Sequence, residues 1–260
     1  MRTIADDTRV NMLREQFIPD HVFIYIVKGT IRVYDGTQSY TYRAGDACLA
    51  RKNRLAKYEL LDSKERFEPI IFCFDQPFLQ DFQSKHRSKQ TTRGLKDTII
   101  DIQSTELIQS FIQSIKPYYK GVMQLDEAFE DLKYEELLII LLKTRPELAA
   151  VLFEFRRPGK IDLEEFMNSN YKFNVNVERF AYLTGRSISA FKRDFAAAYH
   201  ETPGHWLVKR RLQEAHFLIS QENKKPSDVY LDLGFEDLSH FSFAFKKQFG
   251  IAPTQLAGRR

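Results

Sequence analysis

The 260-residue sequence predicts a two-domain α+β fold, with a strand-rich first half closed into a small β-barrel carrying helices, and an all-helical second half. Three observations predict it. The hydrophobic period changes from two to about 3.6 after Gly94, a linker-like Arg-Arg-Pro-Gly-Lys stretch follows at 156–160, and beyond it two segments repeat at a fixed offset of 50 residues. At roughly 150 residues per domain the length gives between one and two domains. Composition excludes a disordered or fibrous chain, because 43% of residues are hydrophobic, 28% are charged, and there are only 11 Gly and 9 Pro. The formal charge of +4 is too small as a total to argue for a polyanionic partner.

The amino-terminal run MRTIADDTRVNMLREQF mixes charges of both signs and lacks the apolar core of a secretory signal. No window approaches the roughly 18 uninterrupted apolar residues of a membrane helix, the richest run being Leu137 to Leu142, so no membrane association and a cytoplasmic location are expected. Strands follow from about 20 to 75. HVFIYIV, TIRVY, SYTY, DACLA and FEPIIFCF are short, rich in β-branched and aromatic residues, and separated by turns at Lys28-Gly29, Asp35-Gly36 and Ala44-Gly45-Asp46. Their even spacing predicts a sandwich or small barrel. Cys48 and Cys73 fall in apolar stretches without metal-ligand spacing and read as reduced core thiols.

Helices are expected from about 103 to 155. Leu107, Ile108, Phe111, Ile112 and Ile115 form one apolar stripe on a helix that Pro117 stops, and this stripe is the candidate dimerisation seam. A second helix is expected from Asp126 to Leu142, its broad apolar tail suited to a buried core or to a subunit contact. The domain boundary is set at 157/158, where Asp162 and Glu165 resemble a capping box opening the next helix. From 158 to 260 there are 15 Lys/Arg against 12 Asp/Glu, so three of the four excess positive charges belong to the smaller second domain.

Within that domain Phe191, Phe195, Tyr199 and Pro203 recur as Phe241, Phe245, Phe249 and Pro253, and Ser189 recurs as Ser239. Aromatic residues at i, i+4 and i+8 share one helix face, leaving the opposite face free. Ser187 and Asp237 stand at the same cap position before each helix. Upstream lie the shorter segments VERFAYLTG and PSDVYLDLG, whose Gly185 and Gly234 tolerate the left-handed backbone of a tight turn between helices. Helix, tight turn, helix, occurring twice, is the layout of two helix-turn-helix units.

The segment GFEDLSHFSFAFKKQFGIAP, Gly234 to Pro253, resembles the signature of the AraC/XylS family of bacterial transcription regulators, and Val177 through Leu212 is similar to that family's first motif and linking helix. The resemblance covers the last 100 or so residues closely. It implies two helix-turn-helix units held by the helix from Trp206 to Ser220, reading successive major-groove segments about one helical turn, ~34 Å, apart. Residues opposite the aromatic faces are then the base readers: Ser189, Lys192 and Arg193 in the first helix, and Leu238, Ser239, Ser242 and Phe243 in the second. Many family members carry Arg where this chain has Phe243, so its second half-site is expected to be read by apolar contact and shape. Lys209, Arg210, Arg211, Lys246 and Lys247 are the candidate phosphate contacts.

More weakly, KGTIRVYDGTQSYTYRAGD resembles the cupin-like sensory domain that precedes such modules. Metal-dependent cupins use several His and a carboxylate, whereas this region offers only His21, with no other before His86, so no metal and no cofactor are expected and His21 reads as a surface or strand-start residue. Phe23, Tyr25, Tyr40 and Tyr42 are the candidate lining of an effector pocket, with plain core as the alternative. The resemblance implies a sequence-specific regulator, by expectation an activator and a homodimer, with promoter DNA and RNA polymerase as partners. Its input is either a small molecule or a partner protein. The competing class is a cupin-type enzyme with a DNA-tethering tail, metal-dependent or not. No Ser-His-Asp, Cys-His or Gly-rich phosphate motif supports it, so no catalytic residues are assigned.

Overall fold

The computed structural model describes residues 16–61, 66–86, 95, 97–121 and 124–258. The first 15 residues of the amino-terminal segment, and Gly94, lie outside them. The chain divides into two compact units, Met1–Arg156 and Arg157–Arg260. No helix among the described residues is long and apolar enough to cross a membrane.

The first unit runs β1 (Phe17–Ile18), β2 (His21–Lys28), β3 (Thr30–Tyr34), β4 (Ser39–Arg43), β5 (Ala47–Ala50), β6 (Arg54–Leu55), β7 (Lys57–Leu60), β8 (Glu68–Phe74), α1 (Gln76–His86), β9 (Ile99–Ile102), α2 (Glu106–Ile115), β10 (Tyr119–Gly121), β11 (Gln124–Leu125), α3 (Glu127–Thr144) and α4 (Ala149–Leu152). Its main sheet is antiparallel in the order β8-β2-β5-β9, and a second has the order β4-β3-β7. The expected barrel is therefore corrected: among the described residues the sheets are open. The Lys28-Gly29 turn hands the chain from one sheet to the other, so β2 pairs with β5 and β8 while β3 pairs with β4 and β7. The two sheets meet through side chains, with Ile24, Ile26, Cys48 and Ile71 of the first in one cluster with Ile31, Val33 and Tyr42 of the second.

On the opposite face of the main sheet, Phe23, Leu49, Phe72 and Ile100 pack in a second cluster with helical side chains including Phe78, Phe111, Tyr134 and Leu141. The main sheet is thus apolar on both faces. That explains why HVFIYIV reads as a continuous apolar run rather than an alternation.

This layering overturns two expectations. Successive strand residues point to opposite faces, so Phe23 and Tyr25 belong to the helix-side cluster while Tyr40 and Tyr42 belong to the inter-sheet cluster. The four aromatics do not line one pocket; they are core on two sides of a sheet, and the Tyr42 hydroxyl donates to Asp101. The α2 stripe is likewise not a dimer seam. Ile108, Phe111, Ile112 and Ile115 are each at most 2% exposed inside the subunit's own core, and only Leu107, at 42%, reaches solvent. Cys48 and Cys73 are buried thiols, and burial pushes the Cys48 thiol far up. His21 begins β2 buried, its Nδ1 accepting from the Lys52 amide at 3.3 Å.

The second unit is helical: α5 (Leu163–Asn170), α6 (Val177–Leu183), α7 (Ile188–Tyr199), α8 (Pro203–Ser220), α9 (Pro226–Asp232), α10 (Leu238–Phe249) and α11 (Pro253–Ala257). Asp162, Ser187 and Asp237 cap α5, α7 and α10, each accepting a backbone N–H three residues on. Gly185 and Gly234 carry φ of +67° and +79° in the turns before α7 and α10.

Candidate nucleic-acid interface

Two helices, α7 and α10, are each held against α8 by an aromatic trio. Phe191 and Phe195 are fully buried, and Phe195 and Tyr199 meet Trp206 of α8 at ring distances of 5.6 and 4.7 Å. Phe241 and Phe245 are fully buried too, and Phe249 meets His216 of α8 at 4.8 Å. Trp206 and His216 thus dock successive halves of the unit onto one helix. With one face of each helix spent on packing, the other is left to solvent.

The sequence-predicted base readers occupy that free face. Ser189, Lys192 and Arg193 are exposed on α7, and Leu238, Ser239 and Phe243 on α10, with Ser242 half-buried. Phe243 is 71% exposed, the most exposed of the large apolar side chains described. Its ring stands on the outer face of α10, away from the buried Phe241 and Phe245.

Arg193 is oriented rather than loose. Its Nε and Nη2 donate to Asp194 at 3.3 and 3.0 Å, while Arg186, from the preceding turn, donates to the same carboxylate at 3.1 Å and Lys160 lies 3.6 Å from it. Hydrogen bonds from Arg186 and then Arg193 hold the Asp194 carboxyl below its usual range. Arg186 also donates to the carbonyls of Ile161 and Thr184, tying the segment before α5 to the turn before α7. Asp194 and Arg186 were not foreseen as site residues, because a short-range charge pair looks the same in sequence as a solvated surface.

The predicted phosphate contacts divide. Lys246 and Lys247 are exposed in the last turn of α10. Lys209 bonds Glu201 at 2.5 Å, and Glu201 also meets His205 at 2.6 Å. Arg210 bonds Glu214 at 3.4 Å and stacks 4.4 Å from the Tyr171 ring. Arg211 is a correction: it is buried, and its guanidinium donates from Nε to Tyr171 O, from Nη1 to Gly234 O and from Nη2 to Phe173 O at 2.7, 2.9 and 2.7 Å. Burial lowers its pKa to about 10, which leaves it charged at neutral pH. A side chain so engaged is not available to a phosphate. Its burial was marked in the sequence by Leu207, Arg211, Ala215 and Ile219, which recur every four residues along the inner face of α8.

Among the described residues no group of three or more His, Cys, Asp or Glu side chains is arranged to hold a metal ion.

Comparison with known proteins matches a separate family to each unit. Residues 21–151 match the family described as the ExsA N-terminal regulatory domain, and residues 180–259 match a helix-turn-helix domain. The chain is similar to the HTH-type transcriptional regulator ExsA of Pseudomonas aeruginosa, 23% identical over 233 residues that span 88% of this chain and 83% of that protein. It is similar to the virulence regulon transcriptional activator VirF of Yersinia enterocolitica, 23% identical over 237 residues, 88% of this chain and 86% of VirF. A crystal structure of an apo ToxT variant from Vibrio cholerae aligns over 94% of this chain and 90% of its own, with 17% identity and a TM-score of 0.43.

Proposed function

This chain belongs to the AraC family of transcription regulators, with an ExsA-type amino-terminal regulatory domain, and from that premise we propose that it activates transcription by reading two adjacent major-groove segments with α7 and α10. It is a DNA-binding regulator. Activation is carried over from relatives such as VirF, and contact with RNA polymerase follows from it. The relatives are transcription regulators, which supports the regulator reading over the enzyme reading.

The observation that carries the base-reading proposal is the pairing of buried aromatic trios with free outer faces on two capped helices. Arg193, held in plane by Asp194, is the first helix's candidate for a bidentate guanine contact. Phe243 on α10 suits a thymine methyl. Lys246 and Lys247 are retained as phosphate contacts, and Lys209 and Arg210 as contacts that exchange a carboxylate partner for a phosphate. Selection of a preferred duplex from a randomised library tests the reading. The log-log salt slope on that duplex should approach −0.9 per neutralised phosphate; equal weak binding to every duplex would defeat it.

For a dimer contact we propose α3 in place of α2. Leu132 and Ile139, seven residues apart, are 64% and 44% exposed, and Ala128 and Leu142 continue the same stripe in steps of three and four. Exposed Glu127 and Asp131 near the start of α3 and exposed Lys143 near its end would face each other in an antiparallel two-fold pair. The regulatory domain supplies the input, and because Phe23 and Tyr25 pack in one cluster and Tyr40 and Tyr42 in another, the four offer no shared lining for an effector.

A further inference from the structure

The trios on α8 anchor each helix-turn-helix half to its own stretch of that helix, through Trp206 for one and His216 for the other. A different set of contacts binds the two halves to each other. Residues 171–174 form a strap between α5 and α6, at the entrance to the first half, and every one of them is tied down. The carbonyls of Tyr171 and Phe173 accept from Arg211, whose third bond goes to Gly234 O in the turn of the second half. Lys172 bonds Glu214 of α8 at 3.2 Å. Asn174 donates to Glu236, beside the second turn, at 2.7 Å.

Gly234 is an independent witness to the closeness of this junction. A Cβ there would sit 2.7 Å from Lys172 O and 3.1 Å from the Arg211 guanidinium carbon, so the second turn lies directly on the strap. Three carbonyls converging from two segments also suit a planar fork of donors, which Arg offers and the single ammonium of Lys does not.

We propose that Arg211 and the 171–174 strap fix the separation and relative rotation of α7 and α10, so that this regulator measures the distance between its two half-sites as well as reading each one. Arg211 is a positioning residue: it touches no DNA, and it acts by denying the two halves independent movement about α8. The inference rests on the reading that both helices enter DNA. Shifting one half-site by one base pair moves it along the duplex by about 3.4 Å and turns it by roughly 35°. A rigid pair cannot follow both changes.

The test uses the full chain and a selected operator duplex, with the half-sites moved closer or further apart by one and two base pairs at constant salt. The wild-type protein should lose about tenfold or more in affinity per base pair shifted, the scale of one lost base contact. Arg211→Lys keeps the charge but not the fork, so it should bind the native spacing somewhat more weakly while its penalty for a shifted spacing shrinks to about two- or threefold. Arg211→Lys weakening all spacings by one common factor would show a merely structural residue and overturn the proposal. Asn174→Ala, a change outside the core, should relax the profile partway. Should Arg211→Lys not fold, an Asn174→Ala profile identical to wild type overturns the proposal. A wild-type protein that binds its half-sites specifically but ignores their spacing overturns it too. No sequence preference at any spacing would instead overturn the DNA-reading assignment beneath it.

Discussion

Single side chains carry the sharpest expectations. With Phe243 on the reading face, Phe243→Arg should create a guanine preference at one position of the second half-site, worth about 1–3 kcal/mol. Selection against a randomised half-site reads this out, and an unchanged base preference would remove Phe243 from the reading face. In the regulatory unit, burial first, then Lys52 and Arg51, hold the His21 imidazole down at about 3 from an ordinary 6.5. The folded chain therefore keeps His21 neutral where the unfolded chain protonates it. Its contribution to stability is whole above pH 6.5 and drains as pH falls toward 3, by up to about 1.4 kcal/mol per pH unit. Urea midpoints between pH 7 and pH 5 measure the slope, and His21→Gln should flatten it; neighbouring Asp20, whose pKa is raised by burial and then by Asp75, acts in the opposite sense and is common to both proteins. Sequence alone showed His21 at a strand start but not its depth, because depth depends on strands and loops brought from far along the chain.

At the scale of the element, the helical half was more legible than the sheet half. Caps, turns and aromatic spacing are local properties, so Ser187, Asp237, Gly185, Gly234 and the two trios were visible in a window of a dozen residues. Strand alternation also showed, yet it does not say which sheet a strand joins or which core each face meets. Phe23 and Tyr42 were grouped for that reason, although they lie in separate clusters. The α2 stripe was a true amphipathic face whose partner is intramolecular. Helix ends allow a direct comparison between the repeats. Asp237→Ala removes the 2.8 Å bond to His240 N and should cost about 1 kcal/mol. His200 terminates α7 at φ 55°, where the other repeat has Gly250 at φ 78°. His200→Gly should therefore stabilise the unit or leave it unchanged, while Gly250→Ala should lower stability by roughly 1 kcal/mol. Thermal unfolding of the variants ranks the two, and the reverse order would contradict the assigned left-handed ends.

For the whole molecule, function depends on two units with different tasks. If α3 pairs the subunits, Leu132→Glu with Ile139→Glu should yield a monomer by sedimentation and weaken binding to paired operators by roughly 100-fold, with binding to a single operator retained. Ile108→Glu, by contrast, should unfold the regulatory unit, since Ile108 is fully buried. The small net charge acquires meaning only when divided: most of the excess lies in the helical unit, and within it Arg211 is withdrawn into the interior while Lys246 and Lys247 stay outside. Position, not the total, sets the field that DNA meets. The segment before α5 carries one more lesson. A Cβ at Gly185 would lie 2.4 Å from the Gly159 carbonyl, and Arg186 reaches Ile161 O at 3.0 Å. Gly159 and Lys160, the end of the 156–160 stretch that reads as a linker, and Ile161 after them brace the turn of the first helix-turn-helix. A hybrid regulator made by grafting this reading head onto a foreign sensor should be joined at 156/157; a seam at Asp162 would discard the backbone that braces the first turn and leave Arg186 without one of its acceptors.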